Sequence, residues 1–145
     1  MQGRKGARAQ RGYILMIVES PEDKISKQIV LSAIEVHRTL GGPGLLESVY
    51  EEALVWELSS QGLAIQRQLA VPIKYKSANL ATPLKLDIMV GNLVIIEVKA
   101  VEKYNTIYEA QALTYLRLIN LKLALVINFG EKLVKDGIHR VVNGL

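Results

Sequence analysis

Two adjoining apolar runs, LKLDIMV at 84–90 and VIIEVKA at 94–100, constrain the fold of this chain more than any other feature. Only Gly91, Asn92 and Leu93 separate them, so together they predict a β-hairpin. Side chains alternate between the two faces of a strand. Leu84, Leu86, Ile88 and Val90 therefore share one face, with Lys85, Asp87 and Met89 on the other. A two-residue turn at Gly91-Asn92 would set Asp87 beside Ile96 and Leu86 beside Glu97, mixing charge with core on both faces. A three-residue loop pairs Leu86 with Val98, Ile88 with Ile96 and Val90 with Val94, and sets Asp87 opposite Glu97. The second register leaves the apolar face unbroken, which is the property that fixes pairing. Gly91 or Asn92 supplies the positive φ that the loop needs.

This register has a chemical consequence. Carboxylates opposed across two strands destabilise the pair unless something offsets their charge. Lys99, two residues after Glu97 on the same face, offsets one charge, and a divalent cation would offset more. The bland alternative is a solvated face with incidental acids and lysines. Met89 and Ile95 on that face are unlike a plain surface.

The remaining pattern predicts one α/β domain. Ser20 or Asp23 can cap a helix with Pro21 in its first turn. Ile25, Ile29, Ala33, Ile34 and Leu40 recur at helical spacing up to the stop at Gly41-Gly42-Pro43-Gly44. A second helix runs from about Leu45 to Ser60, apolar through Leu46, Val49, Ala53 and Trp56. Residues 64–76 read as one or two strands around Pro72. Asn105 or Thr106 caps a third helix to about Asn120, 123–129 form a buried strand, and a weak last element lies around Ile138, Val141 and Val142. The order is ααβ(β)ββαβ, a central mixed β-sheet flanked by helices.

Composition narrows the chemistry. The chain has no cysteine and only His37 and His139, so thiolate and multi-histidine metal sites are excluded. Any metal is then held mostly by oxygen, which favours Mg²⁺, Mn²⁺ or Ca²⁺. Neither histidine is assigned a role. Four of the 18 basic residues (Arg4, Lys5, Arg8 and Arg11) lie in the first dozen positions, and the remaining fourteen match the 14 acidic ones. Residues 1–19 thus form a basic arm and 20–145 a nearly neutral domain. The arm is read either as a disordered or extraneous tail, with Met16 as a second candidate start, or as a phosphate-gripping extension. No segment has the apolar length of a membrane span, so the expectation is a soluble, cytoplasmic protein. The hydrophobic content is compatible with a homodimer.

Several blocks together resemble a known family. Gly44, Glu47 and Tyr50 form a GxxExxY pattern, followed by Asp87, then Glu97-Val98-Lys99, then Gln111 and Tyr115 as QxxxY. Asp136-Gly137-Ile138 and Arg140-Val141-Val142-Asn143 close the series. From about residue 24 to 143 the chain resembles the GxxExxY proteins, small bacterial members of the PD-(D/E)XK nuclease superfamily. The resemblance implies a PD-(D/E)XK nuclease-like domain and a Mg²⁺- or Mn²⁺-dependent nuclease acting on nucleic acid, with DNA as the expected substrate.

It also implies roles. Asp87, Glu97 and the Val98 carbonyl would ligate the ion, and Lys99 would position or activate the attacking water. Glu47 would hold a second ion or a metal-bound water. Gln111 and Tyr115, one turn apart on a helix, would orient Lys99 and the phosphate, and Tyr50 is a further substrate-orienting candidate, although a packing role suits it better. Glu47 also reads as a first-turn acid that complements the helix dipole. The chain departs from the family pattern at Tyr108, where a His is common, at the extra glycine of the 41–44 turn, and at Lys85, where an Arg is common. To grip a duplex, a neutral domain would have to gather Lys74, Lys76, Lys85, Lys99 and Lys103 near the site. The alternative function is a catalytically silent nuclease-fold module that binds nucleic acid or a protein partner.

Overall fold

A computed structural model describes residues 19–145; most of the expected basic arm lies outside the described residues. Helix α1 (Pro21–Leu40) starts at Ser20, whose hydroxyl accepts the Asp23 amide, and ends at Gly41 in a left-handed cap. Helix α2 (Glu47–Ser60) follows. The strands are β1 (Ile65–Val71), β2 (Lys74–Tyr75), β3 (Ala78–Asn79), β4 (Leu84–Val90) and β5 (Val94–Lys99). Helix α3 (Ile107–Ile119), β6 (Leu123–Asn128), a single 3₁₀ turn (Val134–Gly137) and β7 (Ile138–Val142) complete the chain. The weak last element is a true strand, and β2–β3 is a small hairpin that the sequence pattern did not separate.

Five strands form one mixed sheet in the order β1-β4-β5-β6-β7. Only β5 and β6 run parallel; the other neighbours are antiparallel. Helices α1 and α2 cover one face, where Ile29, Leu54 and Leu58 meet Ile88, Ile96 and Leu125. Helix α3 covers the other, where Ala112 and Leu116 meet Ile95, Ala124 and Val126. With helices on both sides, β5 and β6 are apolar on both faces rather than alternating.

The three-residue hairpin loop is present: Ile88 pairs with Ile96, Met89 with Ile95 and Val90 with Val94. The ladder stops there. Leu86 does not meet Val98, because Leu84 and Leu86 pack with Met89 and Ile95 beneath α3, whereas Val98 packs beneath α1 and α2. The facing pattern of β4 thus inverts around Asp87, which a strict period of two cannot represent.

The apolar face expected on α2 is a second correction. Leu46 is 73% and Trp56 68% exposed, while Tyr50, Leu54 and Leu58 are fully buried. This helix carries two apolar stripes, and only the geometry of the sheet decides which one faces inward. On α1, Val36 is buried, whereas Ile34 and Leu40 lie at the surface.

The loops beyond β5 and β6 are braced by Asn128, which is fully buried. Its Oδ1 accepts the Val101 amide at 2.9 Å and the Gly130 amide at 3.0 Å, and its Nδ2 donates to the Val101 carbonyl at 3.0 Å. The backbones approach so closely that a Cβ on Gly130 would lie 2.2 Å from the Val101 oxygen. Among the described residues no helix is long and apolar enough to cross a membrane.

The α2 assignment makes a direct prediction. Leu54→Ala should cost about 2–5 kcal/mol of unfolding free energy. Trp56→Ala, the larger truncation, should cost less than about 1 kcal/mol because it empties no core site. Urea titrations compare the two, and a larger loss at Trp56 would reverse the facing.

Candidate active site

At Asp87, strand β4 parts from β5, and the two acids occupy the fork. The Asp87 amide donates to Glu97 Oε2 at 3.2 Å, and the Val98 amide donates to Asp87 Oδ2 at 2.8 Å. Each carboxylate therefore satisfies a backbone donor that the ladder leaves unpaired. Glu97 is 6% exposed, and Asp87 is half-buried.

Charge accumulates here. Burial, and then the neighbouring Asp87 carboxylate, push the Glu97 carboxyl up to about 8. Burial also raises Asp87; the charges of Glu51 and Glu47 act in the same direction, while the Val98 amide and Lys99 oppose them. The structure thus brings Asp87 and Glu97 together with the Val98 amide, and Glu47 is close enough for its charge to reach Asp87. Glu47 itself is exposed in the first turn of α2. Among the described residues no three His, Cys, Asp or Glu side chains converge tightly enough to hold a metal ion.

Lys99 ends β5, and its Nζ sits 4.6 Å from the centre of the Tyr108 ring. This is a cation–π arrangement. Among the described residues Lys99 forms no salt bridge. Gln111 is exposed on α3 and makes no hydrogen bond to Lys99. Tyr115, one turn on, is half-buried; burial, followed by the charges of Glu97 and Asp87, raises its phenol. Helix α3 thus faces the acids through Tyr115 and the lysine through Tyr108.

Tyr50 is not in the site. Its ring is fully buried and stacks on Phe129 at 4.7 Å, and its hydroxyl donates to the Gly42 carbonyl at 2.7 Å and accepts the Leu45 amide at 3.1 Å. With the hydroxyl engaged on both sides, a substrate-orienting role is withdrawn; Tyr50 shapes the turn ahead of α2. His37 is buried with Nε2 3.1 Å from the Phe129 carbonyl oxygen, and His139 stacks on Tyr104 at 4.0 Å. Lys74, Lys76, Lys85 and Lys103 are all exposed.

The sequence reading missed Glu51, Arg67 and Gln68. Glu51 is buried one turn beyond Glu47 and is bonded by both of the other side chains. Its i+4 spacing from Glu47 is the one signal that could have found it.

The sequence model of the PD-(D/E)XK nuclease superfamily matches residues 23–141 of the chain. No curated protein and no solved structure matches it.

The raised Glu97 carboxyl predicts a pH dependence with a definite sign. The folded state holds this proton more tightly than the unfolded state, where the ordinary value is 4.5. The resulting stability is fully present below about pH 4.5 and is lost as pH rises through about 8. In buffer with EDTA, the melting temperature should fall between pH 5 and 8.5, and Glu97→Gln should flatten that fall. Parallel wild-type and variant curves over this range would contradict the assignment.

Proposed function

Because the chain belongs to the PD-(D/E)XK nuclease superfamily, we propose that it is a divalent-metal-dependent nuclease that hydrolyses DNA phosphodiester bonds at the β4–β5 fork. Within the superfamily, the GxxExxY proteins are the group it resembles. The observation that carries the reading is the pair of reciprocal bonds by which Asp87 and Glu97 are held side by side despite their charge.

The donor set fits a hard cation. Both carboxyls are raised by burial and by neighbouring negative charge, which is the condition a divalent ion relieves. Two carboxylates and one backbone carbonyl suit Mg²⁺, which keeps several waters and shares its sphere with substrate phosphate. Asp87, Glu97 and the Val98 carbonyl would hold Mg²⁺, or Mn²⁺ in its place. The ion supplies polarisation of the phosphoryl oxygen and a lowered pKa for a bound water.

The protein's own groups then divide the work. The Lys99 ammonium steadies the charge growing on the phosphate and orients the attacking water; swinging from the Tyr108 ring towards the fork is a rotation of one flexible side chain. Tyr115 offers a phenol donor beside the acids, and Gln111 offers an amide on the exposed side of the same helix face. Glu47 accepts a hydrogen bond from water at the mouth of the site.

The test is cleavage of plasmid, linear and branched DNA with Mg²⁺ or Mn²⁺, alongside EDTA controls. Asp87→Ala and Glu97→Ala should abolish both turnover and the calorimetric heat of Mn²⁺ binding. Lys99→Ala should keep the heat but lose roughly 10²–10⁴-fold in rate, the range for removing one transition-state donor or proton carrier. A wild-type protein that neither cuts any of these substrates nor binds Mn²⁺ would sink the proposal.

A further inference from the structure

Glu51 is a buried carboxylate that the mechanism above does not use. Both of its oxygens accept Gln68 Nε2 at 3.0 Å, and Oε2 also accepts Arg67 Nε at 2.6 Å. Arg67 reaches on to the Ser48 carbonyl at 3.3 Å, so the pair ties β1 to the first turn of α2. Arg67 supplies the countercharge that lets Glu51 stay buried.

What Glu51 grips is unusual. Gln68 has φ 51°, the left-handed region that a side chain with a Cβ occupies only when its surroundings hold it there. Gln68 also falls at the one interruption in the β1–β4 ladder. Residues 65–67 pair with 88–90 and residues 69–71 with 84–86, and the skipped residues are Gln68 and Asp87. On either side of this gap both strands exchange faces. Ile65 and Ile88 pack beneath α1 and α2, whereas Leu69, Val71, Leu84 and Leu86 pack beneath α3.

We propose that Glu51 is a positioning residue: by clamping Gln68 in the left-handed conformation, it breaks the β1–β4 ladder opposite Asp87 and turns that carboxylate onto β5. A regular ladder would pair Gln68 with Asp87 and keep the alternation of both strands. The break frees Asp87 from β1, and its amide and carboxylate bond instead to Glu97 and to the Val98 amide. The inference rests on the reading of Asp87 and Glu97 as the cation-holding pair, but the position of Asp87 can be tested without the cation.

Two readouts serve. Amide hydrogen exchange at Val98 reports whether Asp87 still accepts that bond, in EDTA. Titration calorimetry with Mn²⁺ reports whether the fork still holds a cation. Glu51→Ala should speed Val98 exchange by at least tenfold and weaken Mn²⁺ binding by at least tenfold. Gln68→Ala, at an exposed position that leaves the core intact, should do the same. Gln68→Gly should stay within about threefold of wild type, since glycine takes positive φ unaided. The double variant Glu51→Ala/Gln68→Gly should recover both readouts. Wild-type exchange at Val98 in Glu51→Ala and Gln68→Ala would overturn the proposal, as would a loss in Glu51→Ala that Gln68→Gly does not restore. If wild-type protein binds no Mn²⁺, the cation reading fails, while Val98 exchange still decides the positioning role.

Discussion

The structure turns on the parting of β4 from β5 at Asp87. An antiparallel pair normally satisfies its own amides, so separating two strands inside a sheet strands donors in a buried place. Here the side chains of Asp87 and Glu97 replace the missing backbone acceptors. The same two groups therefore hold the fork open and crowd two buried acids into it. Neither can be made apolar without leaving a buried amide unpaired, so the fold itself requires both acids at this place.

Around that fork, rigidity is concentrated at the end of the central strand β5. Strand β5 is buried through Val98, and the Phe129 amide donates to the Lys99 carbonyl at 2.8 Å. Two residues on, Asn128 clamps both backbone groups of Val101, with Gly130 pressed against it. The Lys99 backbone is thus fixed on both sides while its side chain stays half-exposed. The Lys99 side chain therefore springs from a stem whose position the backbone sets. The ammonium lies over the ring of Tyr108 and is near enough to the fork for its charge to act on both acids.

The sequence revealed the hairpin register because turn length and apolar pairing both pointed to one answer near the loop, where Ile88 to Val90 and Val94 to Ile96 obey strict alternation. Further from the loop the same rule misplaced Leu84 and Leu86. The inversion at Asp87 depends on a left-handed glutamine in a different strand, and nothing local to β4 records it. The fork acids were legible both from the register, which set Asp87 opposite Glu97, and as residue types at a family's spacing; the parting of the strands there was not. Tyr50 shares a motif with Glu47, yet the packing role that suited it better is the one it has, with its ring buried in the core. On α2 the stripe of Leu46, Val49, Ala53 and Trp56 is as regular as the one that is buried, so periodicity alone could not choose between them.

The charge distribution ties these features together. Three further groups crowd the fork electrostatically: Glu47 and Glu51 raise Asp87, and Lys99 lowers it. Because Arg67 is committed to Glu51, only the lysine is left to face an incoming phosphate among the groups that shape Asp87. A phosphodiester approaching the fork would therefore meet more acidic than basic groups, and the nearly neutral domain offers little long-range attraction to offset them. On the proposed reading, cation and nucleic acid must bind with positive coupling, each improving the site for the other, because the same excess of acidic groups opposes substrate and favours the ion. Glu51 adds to that excess while shaping the fork, so one buried acid links the backbone geometry of β1 to the electrostatic demand at β5.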